Sequence, residues 1–107
     1  MPMNQLRRLV VEGESMRPTL LPGDRVVAVG WRRPRPGELV AAHDPRVADR
    51  ILVKRVVSVD PIDGVTVAGD NPDASTDSRV FGVIPWSSVV GRVVYRYSPS
   101  DRAGRVG

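Results

Sequence analysis

Arg50-Ile51-Leu52-Val53-Lys54-Arg55-Val56-Val57-Ser58-Val59 is the stretch on which the fold turns. Aliphatic, largely β-branched residues dominate it, and these favour a pleated, half-buried strand. The polar turn Asp60–Gly64 ends it. Outwards in both directions the pattern repeats, with short valine-rich runs punctuated by Gly and Pro. Strands are expected at Arg8–Glu12, Arg25–Val29, Glu38–Ala42, Arg50–Val59, Val65–Ala68 and Val89–Tyr97. Turn signals separate them at Pro22-Gly23-Asp24, Pro34-Arg35-Pro36-Gly37, Asp60–Gly64 and Gly69–Asp73. No segment sustains a helical period, so only a short turn of helix is expected, at Ser15 or near Pro85. The expected fold is all-β, a folded sheet or barrel-like domain of short strands.

A chain of 107 residues predicts one small domain with a single modest core. The expected domain runs over residues 1–97, and the polar tail Ser98–Gly107 is expected to fray. There is no cysteine, which excludes disulfides, thiolate metal sites and a cysteine nucleophile. His43 is the single histidine, so no site built on several histidines exists, and no metal or other cofactor is expected. Apolar runs fall far short of the roughly 20 residues that span a bilayer. Met1–Leu9 lacks the apolar run of a secretory signal. A soluble, cytoplasmic protein without a transmembrane segment is the expectation. The net charge of +4 permits nucleic-acid contact, but the arginines are scattered among acidic residues and aromatics are few. No nucleic-acid partner is expected.

Lys54 is the only lysine in a chain whose other basic residues are arginine. A guanidinium does not deprotonate in proteins, whereas a buried lysine does. In a strand, Lys54 shares a face with Leu52 and Val56, and Arg55 points away towards solvent. Apolar neighbours lower a lysine's pKa, and a fall of roughly 2–3 units makes it a base near neutral pH. The plainer alternative is an exposed edge-strand lysine that discourages aggregation.

Ser15 lies in Glu12-Gly13-Glu14-Ser15-Met16-Arg17-Pro18-Thr19-Leu20. A serine hydroxyl needs a base before it attacks a carbonyl. Gly13 lets a substrate backbone come close, and Pro18 keeps the following chain from continuing as a helix. Such a turn exposes the Ser15 Oγ and aims its backbone N–H at a developing oxyanion. A Ser-containing turn of no chemical consequence is the alternative. His43 and Asp44, as strand neighbours, face opposite ways and make a poor Ser-His-Asp set.

Together these segments resemble the type I signal peptidase family. Gly13–Leu20 with Pro22-Gly23-Asp24 looks like its nucleophile block, and Val53–Val57 like its general-base block. Gly69-Asp70-Asn71-Pro72-Asp73-Ala74-Ser75-Thr76-Asp77-Ser78-Arg79 looks like the block that supports the lysine, and Gly91-Arg92-Val93 like the usual ending. The resemblance implies a serine endopeptidase in which Ser15 attacks the scissile carbonyl and Lys54 takes its proton. It implies that Ser75 orients the lysine amine and that Asp77 and Arg79 form a structural pair. The position of an oxyanion-binding hydroxyl in some members is Gly13 here, which leaves the Ser15 N–H to serve.

The resemblance further implies an extended peptide substrate beside the strands leading to Ser15 and Lys54, with Val11, Met16, Leu20 and Val53 as pocket walls. Simple core packing is the alternative for these four. A short turn at Asp60–Gly64 stands where bacterial signal peptidases often carry an insertion. With its small size, this short turn and none of the transmembrane helix that membrane-bound relatives carry before the nucleophile block, the chain looks most like the soluble subgroup that matures nickel-type superoxide dismutase. Its implied partner is a precursor protein from which an N-terminal extension is removed. The competing readings are a self-cleaving domain like that of SOS-response repressors, which shares a Ser-Met segment and a later lysine, and a non-catalytic basic β-barrel that binds nucleic acid.

Overall fold

The computed structural model describes residues 5–47, 49–74 and 82–106. Seven strands form one antiparallel sheet: β1 (Leu6–Val10), β2 (Arg25–Val29), β3 (Leu39–His43), β4 (Ile51–Asp60), β5 (Gly64–Ala68), β6 (Val89–Ser98) and β7 (Gly104–Arg105). The order is β1-β2-β6-β3-β4-β5, with β7 paired to β6, and the sheet curls into a half-barrel. No α-helix occurs among the described residues; 3₁₀ turns form at Pro72–Ala74, Trp86–Ser88 and Ser100–Arg102. The fold is all-β, as the valine runs predict, and most strand ends shift by one or two residues from their expected places.

At the centre of the sheet both faces are covered. In β3, Leu39 through Ala42 are all buried. Leu39 and Ala41 join one core with Val11, Met16, Leu20, Val26, Ala28 and Val93. Val40 and Ala42 join a second core with Val56, Val65, Val67, Ile84 and Val89. A strand buried on both sides reads as continuous apolar sequence, and β3 does. Gly91 lets β6 lie close against β2: a Cβ there would stand 2.5 Å from the Val29 carbonyl oxygen.

The tail differs from the expectation over residues 98–106. The Val106 N–H donates to the Val94 carbonyl and its side chain packs on the first core, while β7 pairs Arg105 with Tyr95. Arg102 binds the buried carboxylate of Asp24, which also accepts from Arg96 Nη1 at 3.1 Å. Arg96 Nε donates back to the Arg102 carbonyl at 2.6 Å. A polar tail gains an ordered place because a buried acid far away in sequence needs its cation.

Candidate active site

Residues 11–24 form a loop closed at its neck by two backbone bonds. Val11 N–H donates to the Asp24 carbonyl and Gly23 N–H to the Val11 carbonyl, both at 2.8 Å. Asp24 Oδ2 accepts from the Leu21 N–H at 2.9 Å and fixes the exit. Within the loop, Leu20 N–H donates to the Met16 carbonyl at 2.9 Å. That turn places Met16 and Leu20, four apart, on one side, and both are buried in the first core. Ser15, adjacent to Met16, stays half-buried on the outer side. Gly13 enters the turn with φ of +73°, a left-handed conformation that favours glycine.

Lys54 lies in β4 opposite Val40. Leu52, Lys54 and Val56 are buried in alternation, and Lys54 is only 5% exposed. The alternative of an exposed edge-strand lysine therefore does not hold, and β4 is an interior strand between β3 and β5. Ser15 and Lys54 line the same cleft, of about 180 Å³, whose walls include Val11, Gly13, Met16 and Val53.

Leu20 is absent from the cleft wall. It is fully buried and packs behind the loop, so the core-packing alternative holds for it. Ala74 stands on the cleft wall, and Ser75, Asp77 and Arg79 lie outside the described residues. His43 is exposed and does not line the cleft. Asp44 is buried and held by the Arg46 N–H at 2.8 Å and the Arg46 guanidinium at 3.1–3.2 Å. Burial pushes the Asp44 carboxyl up, but the Arg46 bonds with Arg46 and Arg50 charge outweigh it and hold the carboxyl below its usual value. No cluster of metal-ligating side chains occurs among the described residues.

The Gly-Asp-Asn segment ties the two halves of the cleft together. Asn71 N–H donates to the Ser15 carbonyl at 2.8 Å, and Asn71 Nδ2 to the Glu14 carbonyl at 3.1 Å. Asp70 accepts from the Thr19 hydroxyl in the Ser15 loop and, bidentately, from Arg55, the neighbour of Lys54. Arg55 also donates to the Gly37 carbonyl at 2.9 Å. Hydrogen bonds from Arg55 outweigh burial and hold the Asp70 carboxyl below its usual range, with Thr19 adding to the effect. Sequence reasoning sent Arg55 to solvent and gave Asp70 and Asn71 no role of their own. The signal available was an Arg directly after the buried lysine and an Asp in a separate Gly-Asp-Asn segment.

The chain matches the family model described as signal peptidase, peptidase S26, over residues 3–64 and 61–98. It is 33% identical to the mitochondrial ATP-independent inner membrane protease subunit 1a of Arabidopsis thaliana, covering 88% of this chain and 71% of that protein. It is 29% identical to the mitochondrial inner membrane protease subunit 2 of Schizosaccharomyces pombe, over 90% of this chain and 67% of that protein. With the probable signal peptidase I-1 of a Synechocystis strain, identity is 24% over 91% of this chain and 74% of the relative. No helix among the described residues is long and apolar enough to cross a membrane. A curled all-β sheet, a cleft lined by both the serine turn and a buried lysine, and a family match over most of the chain converge: the chain belongs to the signal peptidase family, peptidase S26, and is a signal-peptidase-like serine endopeptidase.

Proposed function

We propose that Ser15 and Lys54 form the catalytic dyad, and the observation that carries this is their common cleft, with Lys54 buried on its wall. The neutral Lys54 amine takes the proton from Ser15 Oγ as Oγ attacks the scissile carbonyl carbon. The oxyanion accepts a hydrogen bond from the Ser15 backbone N–H. The Lys54 ammonium then gives its proton to the leaving amine, which departs and leaves an acyl ester on Ser15. Water, deprotonated by the same amine, hydrolyses the ester and restores both groups. Arginine at position 54 has no accessible neutral form, which gives a reason for the sole lysine here. Ser75 is proposed to orient the amine and Asp77 with Arg79 to brace its loop, on the resemblance of Gly69–Arg79 to the family's supporting block.

The proposed substrate is an extended precursor segment that adds as a strand beside residues 10–12 and the start of β4. This reading is supported by Val11, Gly13, Met16 and Val53 lining the cleft that also holds Ser15 and Lys54. The finer reading, that the extension removed is that of a nickel-type superoxide dismutase precursor in the cytoplasm, rests on the sequence resemblance. The tight Pro61–Asp63 connection between β4 and β5 accords with it. Incubation with that precursor, followed by mass measurement of the products, tests it. One cut that frees the mature N-terminus, absent with Ser15→Ala, is expected. An uncut precursor, alongside cleavage of signal-peptide-bearing substrates, would reject the finer reading.

A further inference from the structure

Away from the protease cleft, Trp31, Arg92, Val94, Tyr95, Arg105 and Val106 line a groove of about 470 Å³. No residue is shared with the cleft that holds Ser15. Both charged residues on this lining are arginines. Arg92 is only 14% exposed, and its Nε is buried with no hydrogen-bond partner. Its nearest carboxylate among the described residues is Glu38, at 3.7 Å, too far for a good hydrogen bond. Glu38 is already occupied, taking 2.8 and 2.5 Å bonds from the Arg32 guanidinium and a 2.7 Å bond from the Arg35 N–H. Burial pushes the Arg92 guanidinium pKa down, and the Arg32 and Arg35 charges push it the same way, while Glu38 opposes them without prevailing. A largely buried cation amid like charges, with an unsatisfied donor, is a costly arrangement unless an anion joins it.

We propose that this groove binds a phosphate-type oxyanion carried on an apolar body. Arg92 and Arg105 receive the oxyanion, since guanidinium groups match its paired oxygens. Trp31 and Tyr95, 50% and 43% exposed, flank it and supply aromatic surface for the body. The volume lies in the range of small-molecule sites. Such a head group belongs either to a soluble aryl phosphate or to an anionic lipid.

The chain holds two tryptophans, so a Trp86→Phe variant leaves Trp31 as the sole indole reporter in the groove. Its fluorescence is followed during titration with phenyl phosphate and, separately, with phosphatidylcholine vesicles with and without phosphatidylglycerol. A saturable change is expected, weakened at least about tenfold by Arg92→Gln or Arg105→Gln, the equivalent of losing one charge-assisted contact. Arg105 is exposed, so its variant tests the site even if Arg92→Gln does not fold. A response to phenyl phosphate identifies a soluble ligand, and a response confined to phosphatidylglycerol vesicles identifies a lipid head group. No saturable response to either probe, or a response that survives Arg105→Gln unchanged, would overturn the proposal.

Discussion

Arg55 grips Asp70 with two prongs, Nε to Oδ1 at 3.0 Å and Nη2 to Oδ2 at 2.6 Å. The pair joins the residue after Lys54 to the carboxylate that holds Thr19 in the Ser15 loop. The Ser15 loop and the strand that carries Lys54 are thus registered through this ion pair as well as through the sheet. Asp70→Ala removes the acceptor of both partners and leaves a part-buried arginine unpaired. Stability should fall by about 1–2 kcal/mol, discounted for partial exposure. kcat should fall further than this loss of folded protein explains, with little change in KM, since binding walls remain. Urea unfolding beside steady-state kinetics checks it, and unchanged kcat in fully folded protein would contradict the coupling.

Glu38 gives the clearest acid signature. Hydrogen bonds from Arg32, ahead of the Arg35 N–H and the charge of Arg92, lower its carboxyl from 4.5 to about 2 against the opposing effect of burial. A carboxyl with a depressed folded value stabilises the fold above its unfolded pKa and loses that contribution as pH falls through the folded one. Wild type should therefore exceed Glu38→Gln by roughly 1–2 kcal/mol at pH 7, and the gap should close between about pH 4.5 and 2. Urea unfolding of both proteins across that window reads it; a gap independent of pH would be inconsistent with the ion pair.

Val53 and Leu20 should separate as wall and core. Val53 lines the cleft, whereas Leu20 is fully buried behind the loop. Val53→Ala should let precursors with a larger residue before the cut be processed, at small cost in stability. Leu20→Ala should instead cost about 2–5 kcal/mol, as expected for a buried leucine. Cleavage of precursors bearing Ala, Leu or Phe at that position, with thermal unfolding of each variant, distinguishes them. Equal cleavage of all three by wild type would rule out a small pocket.

Gly91 is fixed by strand spacing. Its added Cβ would meet Val29 backbone atoms at 2.5 and 2.8 Å, which cannot swing aside as a side chain does. Gly91→Ala should destabilise by about 1–3 kcal/mol or more through overpacking. A thermal midpoint equal to wild type would show that β2 and β6 separate freely.

The strands were legible because β-branched runs and Gly-Pro punctuation are local signals. The alternation of Leu52, Lys54 and Val56 allowed burial of Lys54 without separating it from an exposed edge-strand lysine, and the cleft it shares with Ser15 accords with two segments singled out for their chemistry. What stayed hidden depends on distant partners. Arg55 was sent to solvent because Asp70, fifteen residues on, could not be placed. Leu20 read as a pocket wall because the turn that carries it inwards with Met16 is set by the loop's closure. The tail read as frayed because Arg102 finds Asp24 78 residues away. Ser75, Asp77 and Arg79, outside the described residues, keep the roles their segment implies as proposals.

Whether Lys54 supplies the base for Ser15 is decided by the rate at which Lys54→Arg cleaves the precursor. The substitution keeps a positive charge and similar length but removes the accessible neutral form. A loss of about 10²–10⁴-fold in kcat at unchanged fold is expected, the usual scale for removing a general base. Retention of most of the wild-type rate by the folded variant would contradict it.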